Sequence, residues 1–229
     1  MAILIVDDLS PEALKYLKEK GIVIGFIREL FGERYAESLK QLTTILNNAG
    51  ASLVKNPNAY LDLINELSVY NRGLLNNIRG TLFEFVVGHI HSVKKPSINL
   101  GREIIDEKGR HEMDMIAIYD DKVVIAEAKA YKAPIPLEMV EKWITDDIPA
   151  FRKYLLKDDF IKDLPVEFEY WSVSGFEDDA LDYLKKRIAM TGKYAIRYLT
   201  KTEIIEKAKS IPNKKLKEAL QNYFFKTVV

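Results

Sequence analysis

Two runs of mostly apolar, β-branched residues, 113–119 (MDMIAIY) and 122–128 (KVVIAEA), flank Asp120 and Asp121. That is the layout of a β-hairpin with a two-residue loop. Elsewhere apolar positions recur at helical spacing. Ser10 and Pro11 open a helix, the serine as N-cap and the proline at its first position, which ends near Gly21. Helical patterns follow over about 24–31, 33–48 and 58–69, with Gly50 and Pro57 as breakers. Beyond them the pattern predicts a helix over about 74–91, a strand over about 97–104, the two hairpin strands and a helix over about 136–156. A strand at 167–174, a helix at 177–190, a strand at 194–199 and two closing helices complete the chain. This order predicts an α/β fold, a mixed sheet covered by helices on both faces. Residues 1–73 form an N-terminal helical segment outside that core, 74–200 the core itself, and 201–229 the closing helices.

The hairpin carries four charged residues among core residues: Glu112, Asp114, Glu127 and Lys129. With Tyr119 opposite Lys122, Asp114 falls opposite Glu127 and Glu112 opposite Lys129, all on one face, because strand side chains alternate. Opposed carboxylates repel, so Asp114 and Glu127 call for a cation, either Lys129 or a divalent ion with oxygen ligands. Removing either carboxylate should relieve that repulsion. A Glu112 to Lys129 salt bridge accounts for two of the charges and leaves the other pair unexplained. The other face of the second strand, Val124, Ala126, Ala128 and Ala130, is small enough for a helix to pack close.

An acidic residue in one strand, a short gap, then Glu-x-Lys in the next, here Asp114 and Glu127-Ala128-Lys129, resembles the PD-(D/E)XK nuclease superfamily with its restriction-endonuclease-like fold. Many members add a glutamate on the preceding helix, and RGTLFEFVVG offers Glu84. The wording around Glu84 is similar to archaeal, viral and RecB-like branches, and the resemblance covers roughly residues 74–200. Met113 stands where the usual motif has proline. The resemblance implies a metal-dependent deoxyribonuclease that binds Mg²⁺, with Mn²⁺ as a substitute, through Asp114, Glu127, the Ala128 carbonyl and Glu84. Lys129 would orient or deprotonate the attacking water, or neutralise phosphate charge. DNA is the implied partner and a homodimer the implied assembly, with residues 1–73 as a dimerisation element, a DNA-contacting arm or a segment packed on the core. A branched-DNA (Holliday-junction) resolvase, or a nucleic-acid-binding protein that keeps the fold without turnover, is the alternative.

Two local readings compete for Glu84. Gly80 and Gly88, four residues to either side, would let the helix approach the sheet and bring Glu84 to the site. A Thr81 to Glu84 capping box would instead only close a helix N-terminus. Glu112 would pair with Lys129 or add a ligand. His89 and His91 point about 200° apart on a helix and cannot hold one ion together. His111 is expected as an exposed strand-end residue or a substrate contact. Of Tyr131, Trp143, Tyr154, Tyr170 and Trp171, most are expected in the core, with Tyr131 and Lys132 as candidates to touch a substrate strand.

Composition narrows the function further. The 229 residues hold no cysteine, which excludes disulfides, thiolate zinc sites and cysteine nucleophiles. No phosphate-binding glycine loop, nucleophile elbow or dinucleotide fingerprint occurs. No apolar run reaches membrane-spanning length, and MAILIVDD lacks the features of a signal peptide, so a cytoplasmic location is expected. Net charge is zero but unevenly spread: residues 138–182 carry 13 acids and 5 bases, and 185–229 carry 12 bases and 3 acids. The basic end is a solvated helix face or a phosphate-contacting surface.

Overall fold

The computed structural model describes residues 3–47, 56, 58–70 and 78–225. The residues predicted as breakers at 50 and 57, the first part of the helix predicted from 74, and the last four residues lie outside them. Five strands form the central sheet in chain order: β3 (Ser97–Asp106), β4 (Gly109–Ile118), β5 (Val123–Lys129), β6 (Val166–Ser172) and β7 (Ala195–Leu199). The first three run antiparallel and the last two add in parallel, so the sheet is mixed as predicted.

Helices cover both faces. On one lie α4 (Ala59–Tyr70), α5 (Arg79–Ser92), α9 (Lys201–Lys209) and α10 (Lys214–Ala219). Ala126, Ala128 and Ala130 of and after β5 pack in that layer with Phe83 and Val86 of α5, the close helix approach their size predicts. On the other face, α6 (Leu137–Lys142) runs through a π-helical turn, Trp143–Asp147, into α7 (Ile148–Leu155), and α8 (Asp178–Met190) joins β6 to β7. The parallel strands thus receive crossover helices of the kind they require.

The hairpin register is the predicted one, from Met115 opposite Ala126 to Ile118 opposite Val123, with the Tyr119 N–H donating to the Lys122 carbonyl at 2.9 Å. One prediction about the hairpin fails. Ile98 and Leu100 of β3 face the α5 layer, yet Ile104, on the same side by alternation, packs in the opposite layer; Met115 and Met113 of β4 differ in the same way. Both strands switch layers where Gly101 takes φ +63°, a left-handed conformation that glycine adopts without steric cost. Glu112 lies beyond that switch and is carried away from Lys129. It sits opposite Glu103 on β3, and the four charges therefore do not share one face.

At the N-terminus, α1 (Pro11–Glu19) begins as predicted, the Ser10 hydroxyl accepting the Ala13 N–H at 3.2 Å. The helix predicted over 24–31 is half strand. Val23–Phe26 form β2, parallel to β1 (Ile3–Val6), and α2 starts only at Ile27 and ends at Phe31. The β-branched run Ile22, Val23, Ile24 favours strand, and the Leu30 side chain folds over Gly25, where a Cβ would lie 2.7 Å from its Cδ1. α3 (Glu33–Asn47) follows, and α4 packs Tyr60, Leu61, Leu63 and Ile64 into the core.

Much of the basic C-terminal segment is neutralised in place. Lys207 meets Glu169 at 3.1 Å and Lys215 meets Asp62 at 2.6 Å, while Lys209 and Lys214 pair along their own helices with Glu206 and Glu218. After α10, a second π-helical turn, Leu220–Phe224, is held by Arg79, which donates to the carbonyls of Tyr223 (2.7 Å), Phe224 (2.6 Å) and Ala130 (2.8 Å).

Candidate functional site

The β4–β5 ladder stops at Met115 and Ala126, and the next pair inward is Asp114 and Glu127. Here a side chain takes over from the backbone: Asp114 Oδ2 accepts the Ala128 N–H at 2.8 Å. The Lys129 ammonium bridges the two acids, 3.0 Å from Asp114 Oδ2 and 2.7 Å from Glu127 Oε1. Asp114 and Glu127 are thus brought together with a cation between them, and that cation is Lys129. β5 continues to pair with β6 as far as Lys129, whose carbonyl accepts the Val173 N–H. Peptide groups alternate along a strand, so the Ala128 peptide, carbonyl included, faces the gap beside Asp114.

Glu84 lies on α5, behind the point where β4 and β5 part, within electrostatic reach of Asp114, Lys129, Glu112 and Glu127. No side chain caps the start of α5 at Ile78, so the Thr81 capping box does not form. Nor does Gly80 serve a close approach, since a Cβ there would meet nothing within 4 Å. The helix approaches instead over the alanines of β5.

Electrostatics show what the cluster lacks. Burial first, then the neighbouring Asp114, pushes Glu84 up to about 8 and Glu127 to about 7. Burial opposes the charge of Lys129, but Glu127 and Asp114 outweigh it and hold the ammonium protonated well above its ordinary range. Three carboxyl groups around one ammonium are more acid than that cation compensates, and Glu84 and Glu127 hold protons in place of a further positive charge. Among the described residues no three ligating side chains surround a single point. The donors on hand are two carboxylates, a backbone carbonyl and Glu84 behind them. That set fits Mg²⁺, which binds through one or two carboxylates and keeps several waters.

Two further residues, His111 and Tyr170, belong to the surroundings in ways that local sequence patterns do not specify. His111 is buried, not an exposed strand end: Nδ1 lies 2.7 Å from Asp147 Oδ1 and Nε2 3.1 Å from Asp106 Oδ1. Both carboxylates only accept, so the ring donates from both nitrogens and is an imidazolium. Burial opposes this, and the two aspartates raise the pKa in spite of it. Asp147, on the π-helical turn, also adds repulsion at Glu127. Tyr170 is the in-register neighbour of Glu127 on β6, on the same face. A run such as EFEYWS announces only a core strand, and the parallel pairing alone brings Tyr170 to the site.

His89 and His91 go to separate partners, as their spacing predicts. His89 Nδ1 meets the Tyr60 hydroxyl at 3.0 Å, while His91 lies between the Tyr119 hydroxyl (2.8 Å) and Glu169 Oε2 (3.0 Å). Tyr131, just past the motif, is half exposed beside the site.

No family model, curated protein or solved structure matches this chain. The site must therefore be read from its own geometry. No helix among the described residues is long and apolar enough to cross a membrane.

Proposed function

We propose that this protein is a metal-dependent nuclease of the PD-(D/E)XK kind, hydrolysing DNA phosphodiester bonds. The observation that carries this reading is the meeting of Asp114, Glu127 and Lys129 where β4 and β5 part, in an acid-rich cluster at the end of a paired sheet. A structural ion pair needs one acid for one base. Here two acids converge on one lysine, and a third, Glu84, is held up to about 8 by burial and then by Asp114.

Asp114 and Glu127, with the Ala128 carbonyl, would hold Mg²⁺ or Mn²⁺, and Glu84 would support them from α5. The ion, when bound, supplies Lewis-acid activation of water and charge relief at phosphorus. Lys129, in reach of both carboxylates, would present its ammonium to the phosphate and orient the attacking water. It acts as a cation throughout, because the acids around it keep it protonated. Asp114 has a second duty, to hold the Ala128 amide and with it the strand that carries Glu127 and Lys129.

The test is incubation of the purified protein with linear, supercoiled, single-stranded and four-way-junction DNA in Mg²⁺, Mn²⁺ or EDTA, beside Asp114→Asn. Metal-dependent cutting that the variant lacks supports the reading, and preference for the junction identifies a resolvase. DNA binding without cutting on any substrate would replace it with a non-catalytic binding role.

A further inference from the structure

Tyr170 stands beside Glu127 with an unused hydroxyl. The two residues are partners in the parallel β5–β6 ladder, so their side chains project side by side from one face. The tyrosine is 1% exposed, its ring set edge-on against Trp143 at 4.9 Å and Phe176 at 5.3 Å. Glu127, Lys129 and Asp114 lie within electrostatic reach of its phenol, on the face that the strand register gives it. Among the described residues the hydroxyl makes no hydrogen bond, and it is not among the side-chain atoms sealed from solvent without a partner, so it is open to a ligand. The indole N–H of the neighbouring Trp143 is buried and unpartnered.

We infer that Tyr170 is a further catalytic residue, its hydroxyl donating a hydrogen bond to a non-bridging oxygen of the scissile phosphate held between Glu127 and Lys129. The inference rests on the nuclease reading for the identity of the bound group. Its chemistry is simple. A tyrosine hydroxyl is a ready donor at neutral pH, and a phosphodiester oxygen is the acceptor it would meet at this site. No bond to hydrogen breaks; the donor is already aimed where negative charge grows as the phosphorus is attacked. The packing of Trp143 and Phe176 means that little reorganisation accompanies binding.

Tyr170→Phe removes one oxygen and keeps the ring, so the fold should persist with Tm near that of the parent. If the protein cuts DNA, kcat should fall about 10²-fold, with KM and Mn²⁺ affinity near those of the parent. An unchanged kcat overturns the inference. A second readout does not depend on cutting. With 3-fluorotyrosine incorporated, the fluorine resonance that Tyr170→Phe removes is followed as duplex DNA is added in Ca²⁺, which is expected to support binding without turnover. A shift of that resonance at saturation is expected. If the parent protein cuts nothing but the resonance shifts, the nuclease reading fails and the phosphate contact stands. If the resonance does not move at any DNA concentration, the contact is refuted whatever the activity.

Discussion

Asp114 substitutes for the missing end of a β-ladder: its Oδ2 accepts the backbone N–H of Ala128 at 2.8 Å, one residue past the last Met115 to Ala126 pair. The expectation that removing this acid relieves repulsion is therefore incomplete. Asp114→Ala leaves a buried N–H without an acceptor and takes one partner from Lys129. It should cost about 1 to 3 kcal/mol of stability. Asp114→Asn keeps an oxygen for the amide and should fold with a smaller loss. Both should lose cleavage and weaken Mn²⁺ binding. Denaturant unfolding in EDTA, beside titration calorimetry with Mn²⁺, separates the two effects, and equal stability of the two variants would refute the role given to the amide contact.

Lys129→Met tests the balance of charge from the other side. Without the ammonium, Asp114 and Glu127 face each other uncompensated, so the variant should be destabilised in EDTA. Divalent ions should restore it, with a larger rise in Tm on adding Mg²⁺ than the parent shows. Cleavage should be lost while metal binding persists. A variant that melts alike with and without Mg²⁺ would mean that the two carboxylates do not hold the ion.

Glu84 and Glu127 make stability depend on pH in a direction opposite to that of most paired acids. Their pKa values are raised, to about 8 and about 7, so the folded state holds protons that the unfolded chain has released above the ordinary glutamate range. Their contribution to stability therefore falls as pH climbs from about 4.5 through 8. In EDTA, Tm should be lower at pH 8.5 than at pH 5.5 by about 5 °C, and Glu84→Gln should flatten that slope. Mg²⁺ should also remove most of it. Cleavage should rise over the same range, because ligands must lose protons to bind metal. A Tm profile identical in parent and Glu84→Gln would remove Glu84 from the cluster.

Glu169 behaves in the opposite way and lies away from the site. Burial works against its charge, but hydrogen bonds from His91 and Lys207 hold its carboxyl at about 2, and Trp171 Nε1 donates to the same group at 2.8 Å. This depressed pKa contributes stability above the ordinary glutamate range that is lost as pH falls from about 4.5 to 2. Glu169→Ala takes the buried acceptor from the Trp171 indole N–H and the His91 ring, and should cost about 1 to 3 kcal/mol without touching metal affinity. A Mn²⁺ titration unchanged from the parent, with a large drop in the denaturant midpoint, is the expected pair of results.

The strands that carry the site were legible because their information is local. Alternation and the Asp120-Asp121 loop give the hairpin, and the hairpin register alone puts Asp114 across from Glu127. What the sequence concealed is carried by distant contacts. Lys129 pairs with Asp114 and Glu127 and not with Glu112, which lies beyond a bend at Gly101, some thirty residues away in the chain. Tyr170 reaches Glu127 through a parallel pairing whose register no local pattern reveals. His111 is buried by Asp147, on a π-helical turn that a simple helical pattern over 136–156 does not distinguish from its flanks. β2 was missed for a different reason, since a short apolar run such as IVIGF reads equally as strand or helix.

Gly101 is the residue on which the site's shape depends most indirectly. Its φ of +63° lets β3 and β4 switch layers together, and in the hairpin register it lies across from Asp114. Any L-residue there pays about 1 to 2 kcal/mol for the left-handed conformation, and a Cβ would also come 3.4 Å from Glu112 Oε1. If β3 straightens to escape that strain, Glu112 moves back toward the face of Lys129, and the ammonium can then leave Asp114 for Glu112. Gly101→Ala should therefore lower stability by about that amount and weaken Mn²⁺ affinity as well. Gly101→Asn, which tolerates the left-handed region, should do less of both. A loss of stability in Gly101→Ala with metal affinity intact would show that the bend serves only the fold, and that Lys129 selects Asp114 by its own contacts.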